Sequence, residues 1–144
     1  MQDFGAEEIA RYARNNALGF SLLTIAYLRE HELSVADWAR WVGREFAGPE
    51  TNWVPGMGAR KMALEAAKEL LSMKADVQDL SGDDKVSAVV FVWPSERDLS
   101  DCRLSRDDIQ DFWTAWEPLA TSVGLHVSFE TASDGVTTLT FSKP

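Results

Sequence analysis

The sequence predicts an α+β fold, three N-terminal helices packed with an antiparallel β-β-α-β-β sheet unit. Three observations carry the prediction. Apolar residues recur at helical spacing through the first half, the period shortens to the two-residue alternation of strands after Val77, and one helical stripe with a capping signature interrupts those strands between Ser105 and Gly124. At 144 residues the chain has the length of one domain and can bury about two-thirds of its unfolded surface. We read residues 1–144 as a single domain with a helical half, 1–75, and a sheet half, 76–144.

The first helix is expected from Glu7 to about His31. Ile9, Tyr12, Ala13, Ala17, Phe20, Ala26 and Tyr27 approximate its inner face, with Glu7, Glu8, Arg11, Arg14 and Asn15 opposite. Ser34, with Asp37 three residues on, forms a capping-box signature that opens a second helix with the stripe Val35, Trp38, Val42 and Phe46; Gly48-Pro49 ends it. A third helix follows the turn Pro55-Gly56-Met57-Gly58 and turns Met62, Ala63, Ala66, Leu70 and Met73 inward. Val77–Leu80 and Val86–Trp93 then read as a hairpin about Ser81-Gly82-Asp83-Asp84. Its second strand is apolar on both faces, as a central strand covered by helices would be.

Pro94 to Ser105 reads as a loop. Ser105 and Asp108 form a second capping signature for a helix carrying Ile109, Phe112, Trp113, Trp116, Leu119, Ala120 and Val123, bent at Pro118 and capped by Gly124. The closing hairpin can be registered. A three-residue loop, Ser133-Asp134-Gly135, with Gly135 left-handed, sets Phe129 opposite Leu139 and Val127 opposite Phe141; a two-residue Asp-Gly loop would set Phe129 opposite Thr140. The three-residue loop is preferred, and it leaves His126, Ser128, Glu130, Thr138, Thr140 and Ser142 on the other face.

Charge narrows the partners. The formal net charge is −9; residues 1–75 carry ten acids and nine bases, whereas residues 76–144 carry thirteen acids and five bases. A phosphate backbone or an anionic membrane meets no compensating basic patch, so neither nucleic acid nor membrane is expected as a partner. A helix-turn-helix reading of residues 18–47 fails similarly, because Asp37 and Glu45 cancel Arg40 and Arg44 on the would-be reading helix. One cysteine and no export signal point to a reducing cytoplasm.

No catalytic constellation stands out. His126 and Glu130 share a strand face, but four residues at about 3.3 Å each hold them roughly 13 Å apart, too far for one metal ion. His31 lies at a helix end, and no metal site is expected. Cys102 has Arg103 and a helix start to assist a thiolate, with Asp101, Asp107 and Asp108 opposing it. Asn16 lies near the apolar stripe of the first helix, where its amide needs either a buried partner or a boundary position.

The loop from Trp53 to Lys61 is the expected ligand site. Gly56 and Gly58 let backbone amides approach a ligand, a helix begins there with its positive end, and Arg60 and Lys61 stand beside the Trp53 ring; Trp93, at a strand end, is added as a second aromatic wall. Such a site suits a carboxylate or phosphate. The same glycines also serve simply to turn the chain into a helix.

The stretch Val127-Ser128-Phe129-Glu130-Thr131, running through Asp134-Gly135 to Thr140-Phe141, together with helices first and then two strands, a helix and a closing hairpin, resembles the 4-vinyl reductase domains and their trafficking-complex relatives. The resemblance implies a small-molecule-binding or sensory module, often paired with itself. Domains of that family usually carry cysteines in this region; the closing hairpin here has none, so no cysteine-based role is implied.

The six tryptophans divide. Trp38, Trp113 and Trp116 lie on core stripes, whereas Trp41 points more than a right angle from the stripe of its helix, among Asp37, Arg44 and Glu45. The leading expectation is a cytoplasmic module for a small, partly apolar and possibly acidic ligand, with its cofactor needs unknown. A homodimer anchored by an exposed Trp41 is the second, and an enzyme of unknown reaction the third.

Overall fold

A computed structural model describes residues 4–48 and 53–144; Pro49, expected to close the second helix, lies outside them. Three helices come first, α1 (Ala6–Glu30), α2 (Val35–Phe46) and α3 (Ala59–Ser72), followed by strands β1 (Asp76–Gly82) and β2 (Val86–Val92). A helical connection then leads to β3 (His126–Thr131) and β4 (Val136–Ser142). The four strands form one antiparallel sheet in the order β1-β2-β4-β3, so the α+β class holds.

Alternation decides which face of the sheet meets the helices. Val89 and Phe91 of β2 and Leu139 and Phe141 of β4 are fully buried, while Val90, Val92, Thr138 and Thr140 between them are half-buried. One face therefore packs on the helices and the other does not. The continuous apolar run of β2 suggested cover on both faces; instead Ala88, Val90 and Val92 gain partial burial from the strands on either side. In the closing hairpin Phe129 pairs with Leu139 and Val127 with Phe141. Gly135 is left-handed at φ +87° and Ala132 N–H donates to Val136 O at 2.9 Å, as the three-residue loop requires.

Caps fix the helix starts where the sequence placed them. The Ser34 hydroxyl accepts from Asp37 N–H at 3.1 Å, and the Asp108 carboxylate accepts from Ser105 N–H at 2.8 Å. The same chemistry makes a helix in what was read as loop. Ser95 caps α4 (Glu96–Asp101) by accepting from Asp98 N–H at 3.1 Å. The single helix expected after Ser105 is three pieces: α5 (Arg106–Gln110), a 3₁₀ turn (Asp111–Ala115) and α6 (Trp116–Ser122). Pro118 has no N–H for the Thr114 carbonyl and its ring crowds that carbonyl, so the chain tightens just before it.

Two helices face differently from their expected stripes. On α1 the residues that enter the core are Leu18, Leu22 and Ile25, whereas Ile9, Tyr12, Phe20 and Tyr27 are all more than half exposed. The helix carries two apolar faces, and spacing alone does not say which one meets the sheet. On α2 the buried residues are Val35, Ala39 and Gly43, with Trp38 and Val42 half-buried and Phe46 exposed. The rotation follows from size: small Ala39 and Gly43 let α2 come against the 3₁₀ turn. A Cβ on Gly43 would stand 2.1 Å from the Ala115 carbonyl oxygen and 2.8 Å from Pro118 Cγ.

That contact is fastened on both sides. Thr114 Oγ1 shares its one proton between Asp111 O at 2.7 Å and Ala36 O at 3.3 Å, and the Arg40 guanidinium pairs with Glu117 at 2.9 Å. Gly43→Ala must push two backbones apart. It is expected to destabilise the fold by at least about 2 kcal/mol in urea denaturation; a change within about 0.5 kcal/mol would show that α2 does not lie this close.

Candidate functional site

The close approach of α2 leaves a pocket beside it. Gly43 brings α2 against Ala115 and Pro118, and Val42 and Phe46 line the recess beside that contact. The resulting cavity of about 120 Å³ is walled by Val42, Phe46, Trp53, Phe112, Trp116 and Leu119, with Met73 and Ala115 at its base and the Glu69 side chain on its rim. For comparison, an apolar cavity of about 150 Å³ accepts benzene. The space suits one ring or one branched aliphatic group.

Aromatic packing makes the walls rigid. Phe112 stacks on Trp38 with centroids 5.9 Å apart and on Trp93 at 5.2 Å, and Trp113 meets Phe91, Trp93 and Phe112 edge to face. Across the pocket Trp53 stands edge-on to Trp116 at 5.9 Å, and Trp116 in turn packs on Phe141 of the sheet. Each such pair adds about 0.5–1.5 kcal/mol beyond its area burial. The two opposing walls are therefore anchored on β2 and β4.

The residues expected to bind ligand are divided among three places. Trp53 lines the pocket. Trp93 does not: it is 1% exposed, its indole N–H donates to Met73 O at 2.7 Å, and it lies one ring behind Phe112. Gly56, Gly58, Arg60 and Lys61 sit at the far end of α3. Gly56 is left-handed at φ +83° and its N–H donates to Val123 O at 3.2 Å, which ties the loop to the end of α6. Nine residues of helix separate Arg60 from Glu69, roughly 13 Å along the axis, so no ligand of the pocket's size reaches both.

The start of α3 already has an internal acid. Ala59 N–H donates to Asp84 O at 3.0 Å, and a Cβ on Gly58 would stand 2.8 Å from Asp84 Oδ1, so the Asp84 carboxylate lies where an external anion was expected. Arg60 turns to β1, donating to Leu80 O at 3.1 Å, and Lys61 is exposed to solvent. The glycines here turn the chain and admit Asp84.

Other singled-out groups stand apart from the pocket. His31 Nδ1 lies 2.9 Å from Tyr27 O and its ring stacks on Tyr27 at 4.0 Å; His126 is exposed on β3. Cys102 is half-buried, and burial first, then Asp101 and Asp98, push its thiol pKa up, the opposite of what a nucleophile needs. Asn16 is exposed on α1 and Trp41 is 54% exposed on α2. Among the described residues no three His, Cys, Asp or Glu side chains converge to hold a metal ion, and no helix is long and apolar enough to cross a membrane.

Several pocket residues went unnoticed as a site in the sequence. Phe46 and Phe112 read as ordinary stripe members, Glu69 falls among the outward charges of the third helix, and the sequence reading does not single out Gly43. A small residue on a helix flanked by Val42 and Phe46 was the available signal. No protein-family model, curated protein or solved structure matches the chain.

Among the described residues that line the pocket, Glu69 is the one that titrates. Partial burial against the apolar wall raises its pKa above the ordinary carboxylate value, with Glu65 one turn earlier adding to the shift. A raised folded-state value means that ionising Glu69 opposes folding. The penalty is absent below the unfolded carboxylate range, enters as pH rises through it and is complete above the raised value. Glu69→Gln is expected to raise the urea midpoint at pH 7 and to leave it unchanged near about pH 3. A lower midpoint at pH 7 would mean that the carboxylate stabilises the fold.

Proposed function

We propose that the protein is a small-molecule-binding module whose site is the pocket between α2, α3, the 3₁₀ turn and α6. The observation that carries this reading is the pocket itself, an apolar cavity of about 120 Å³ with aromatic walls braced on the sheet and one carboxylate at the rim. The ligand presents a single ring or branched aliphatic group and is neutral or cationic, because Glu69 and Glu65 oppose a negative one. In this the proposal departs from the acidic ligand that the Gly-rich loop suggested, since Asp84 occupies that loop. The resemblance of the second half to 4-vinyl reductase domains points to the same class of role. With one cysteine in the chain, we place the module in a reducing cytoplasm.

Self-association is the second reading, favoured by Trp41 and by the large apolar residues that α1 leaves exposed. It concerns a different surface and is compatible with the first.

Benzylamine and benzoate probe the pocket. Followed by amide NMR, benzylamine is expected to shift Gly43, Phe46 and Ala115 with a Kd on the order of 1 mM, and benzoate to bind at least about tenfold more weakly. Ala115→Leu, which fills the base, should abolish the benzylamine shifts while far-UV circular dichroism stays unchanged. Shifts confined to the Gly56–Lys61 loop, or none with either compound, would overturn the assignment.

A further inference from the structure

The exposed apolar residues of α1 are ordered. Ile9, Ala13, Asn16, Phe20, Leu23 and Tyr27 follow one another at steps of four, three, four, three and four, a single stripe held along the helix. All six are exposed, Phe20 by 74%, Leu23 by 61%, Ile9 by 57% and Tyr27 by 55%. They lie on the opposite side of α1 from Leu18, Leu22 and Ile25, which hold the helix to the body. Alternating steps of four and three keep one seam along the helix; beside it Ala10, Ala17, Gly19, Thr24 and Ala26 are small and uncharged, and Tyr12 adds a 58% exposed ring.

We infer that this seam is the surface on which a second copy of the chain docks, through an antiparallel pairing of the two α1 helices. The inference deepens the self-association reading and is independent of the ligand pocket, to which α1 contributes no residue.

Area and layer volumes each favour this occupant. The seam exposes on the order of 700 Å² per copy, so that pairing removes about 1,200 Å² in total, within reach of a stable interface. In the symmetric antiparallel register Ile9 faces Tyr27, Ala13 faces Leu23 and Asn16 faces Phe20 of the partner helix, so every layer joins a smaller residue to a larger one. A parallel pairing would set Phe20 on Phe20 and leave Ala13 on Ala13. A groove beside Ala10, Ala13 and Ala17, walled by Leu71 of α3, gives the larger residues somewhere to settle.

The register keeps Glu7 and Arg29 out of the interface: they lie on the body side of α1 with Ile25 and Leu22, where Arg29 pairs with Asp108 at 2.9 Å. It also lays the first half of α1, residues 6–17, on which all but Ala10 and Ala17 are exposed, along the anchored half of the other helix.

Sedimentation equilibrium of the full chain at about 100 µM, a concentration at which an interface of this size is occupied, is expected to give twice the 16.0 kDa chain mass. Phe20→Glu with Leu23→Glu should weaken the dimer more than about tenfold without changing the urea midpoint of the body. In a Cys102→Ser background, an Ile9→Cys chain should form a disulfide with a Tyr27→Cys chain and not with itself. A monomeric chain overturns both the seam and the self-association reading, including a monomer that binds phosphatidylcholine vesicles through α1. A dimer lost with Trp41→Ala but kept with the double glutamate variant overturns the seam alone, and Ile9→Cys self-linkage overturns the antiparallel pairing.

Discussion

The contact between Gly43 and the Ala115 carbonyl governs how the helical layer is assembled. It involves no side chain on the α2 side, so the separation of α2 from the 3₁₀ turn is set by backbone against backbone. From that separation follow the stacking of Trp38 on Phe112, the Thr114 hydroxyl reaching Ala36 O and the Arg40–Glu117 pair. The pocket lies beside this contact, with Val42 and Phe46 among its lining residues. A larger residue at position 43 and the pocket could not both exist in this form.

Beneath that layer, a sheet covered on one face supplies the rigidity. Phe91 and Phe141 each receive a tryptophan edge, and Trp93 closes the row by giving its indole N–H to the carbonyl of Met73 at the end of α3. A buried indole without that acceptor would carry a desolvation cost of about 1–3 kcal/mol. Large rings suit this architecture because one layer of helices must fill the whole depth of the core. The high tryptophan content is thus mainly structural: Trp93 and Trp113 are core residues, Trp38, Trp53 and Trp116 build or back the pocket, and only Trp41 is largely in solvent.

Local rules were readable in the sequence wherever one interaction decides the outcome. Gly135 and the strand alternation set the register of the closing hairpin, and Ser34 and Ser105 marked helix starts. Ser95 and Asp98 carried the same capping signal, and only the proline before them made the segment look like a loop. What could not be read was choice among faces. On α1 two apolar stripes compete, and on α2 the smallest residues rather than the largest enter the core, because proximity to Ala115 is worth more than the area of Phe46. The candidate site suffered in the same way. Trp53, singled out beside the Gly-rich loop, lines the pocket instead, whose other residues Phe46, Glu69 and Phe112 come from three other segments, and the acid beside the Gly58 turn arrives from the β1–β2 connection.

The molecule therefore presents two unrelated apolar features, a recess braced by the sheet and an outward seam on α1. The recess is the more demanding claim, because a cavity of this kind persists only if its aromatic walls cannot collapse inward. A crystal structure under xenon pressure tests it directly. The account predicts xenon density between Phe112 and Trp116, in contact with Trp53 and Leu119. Walls closed on one another, with xenon elsewhere or absent, would contradict it.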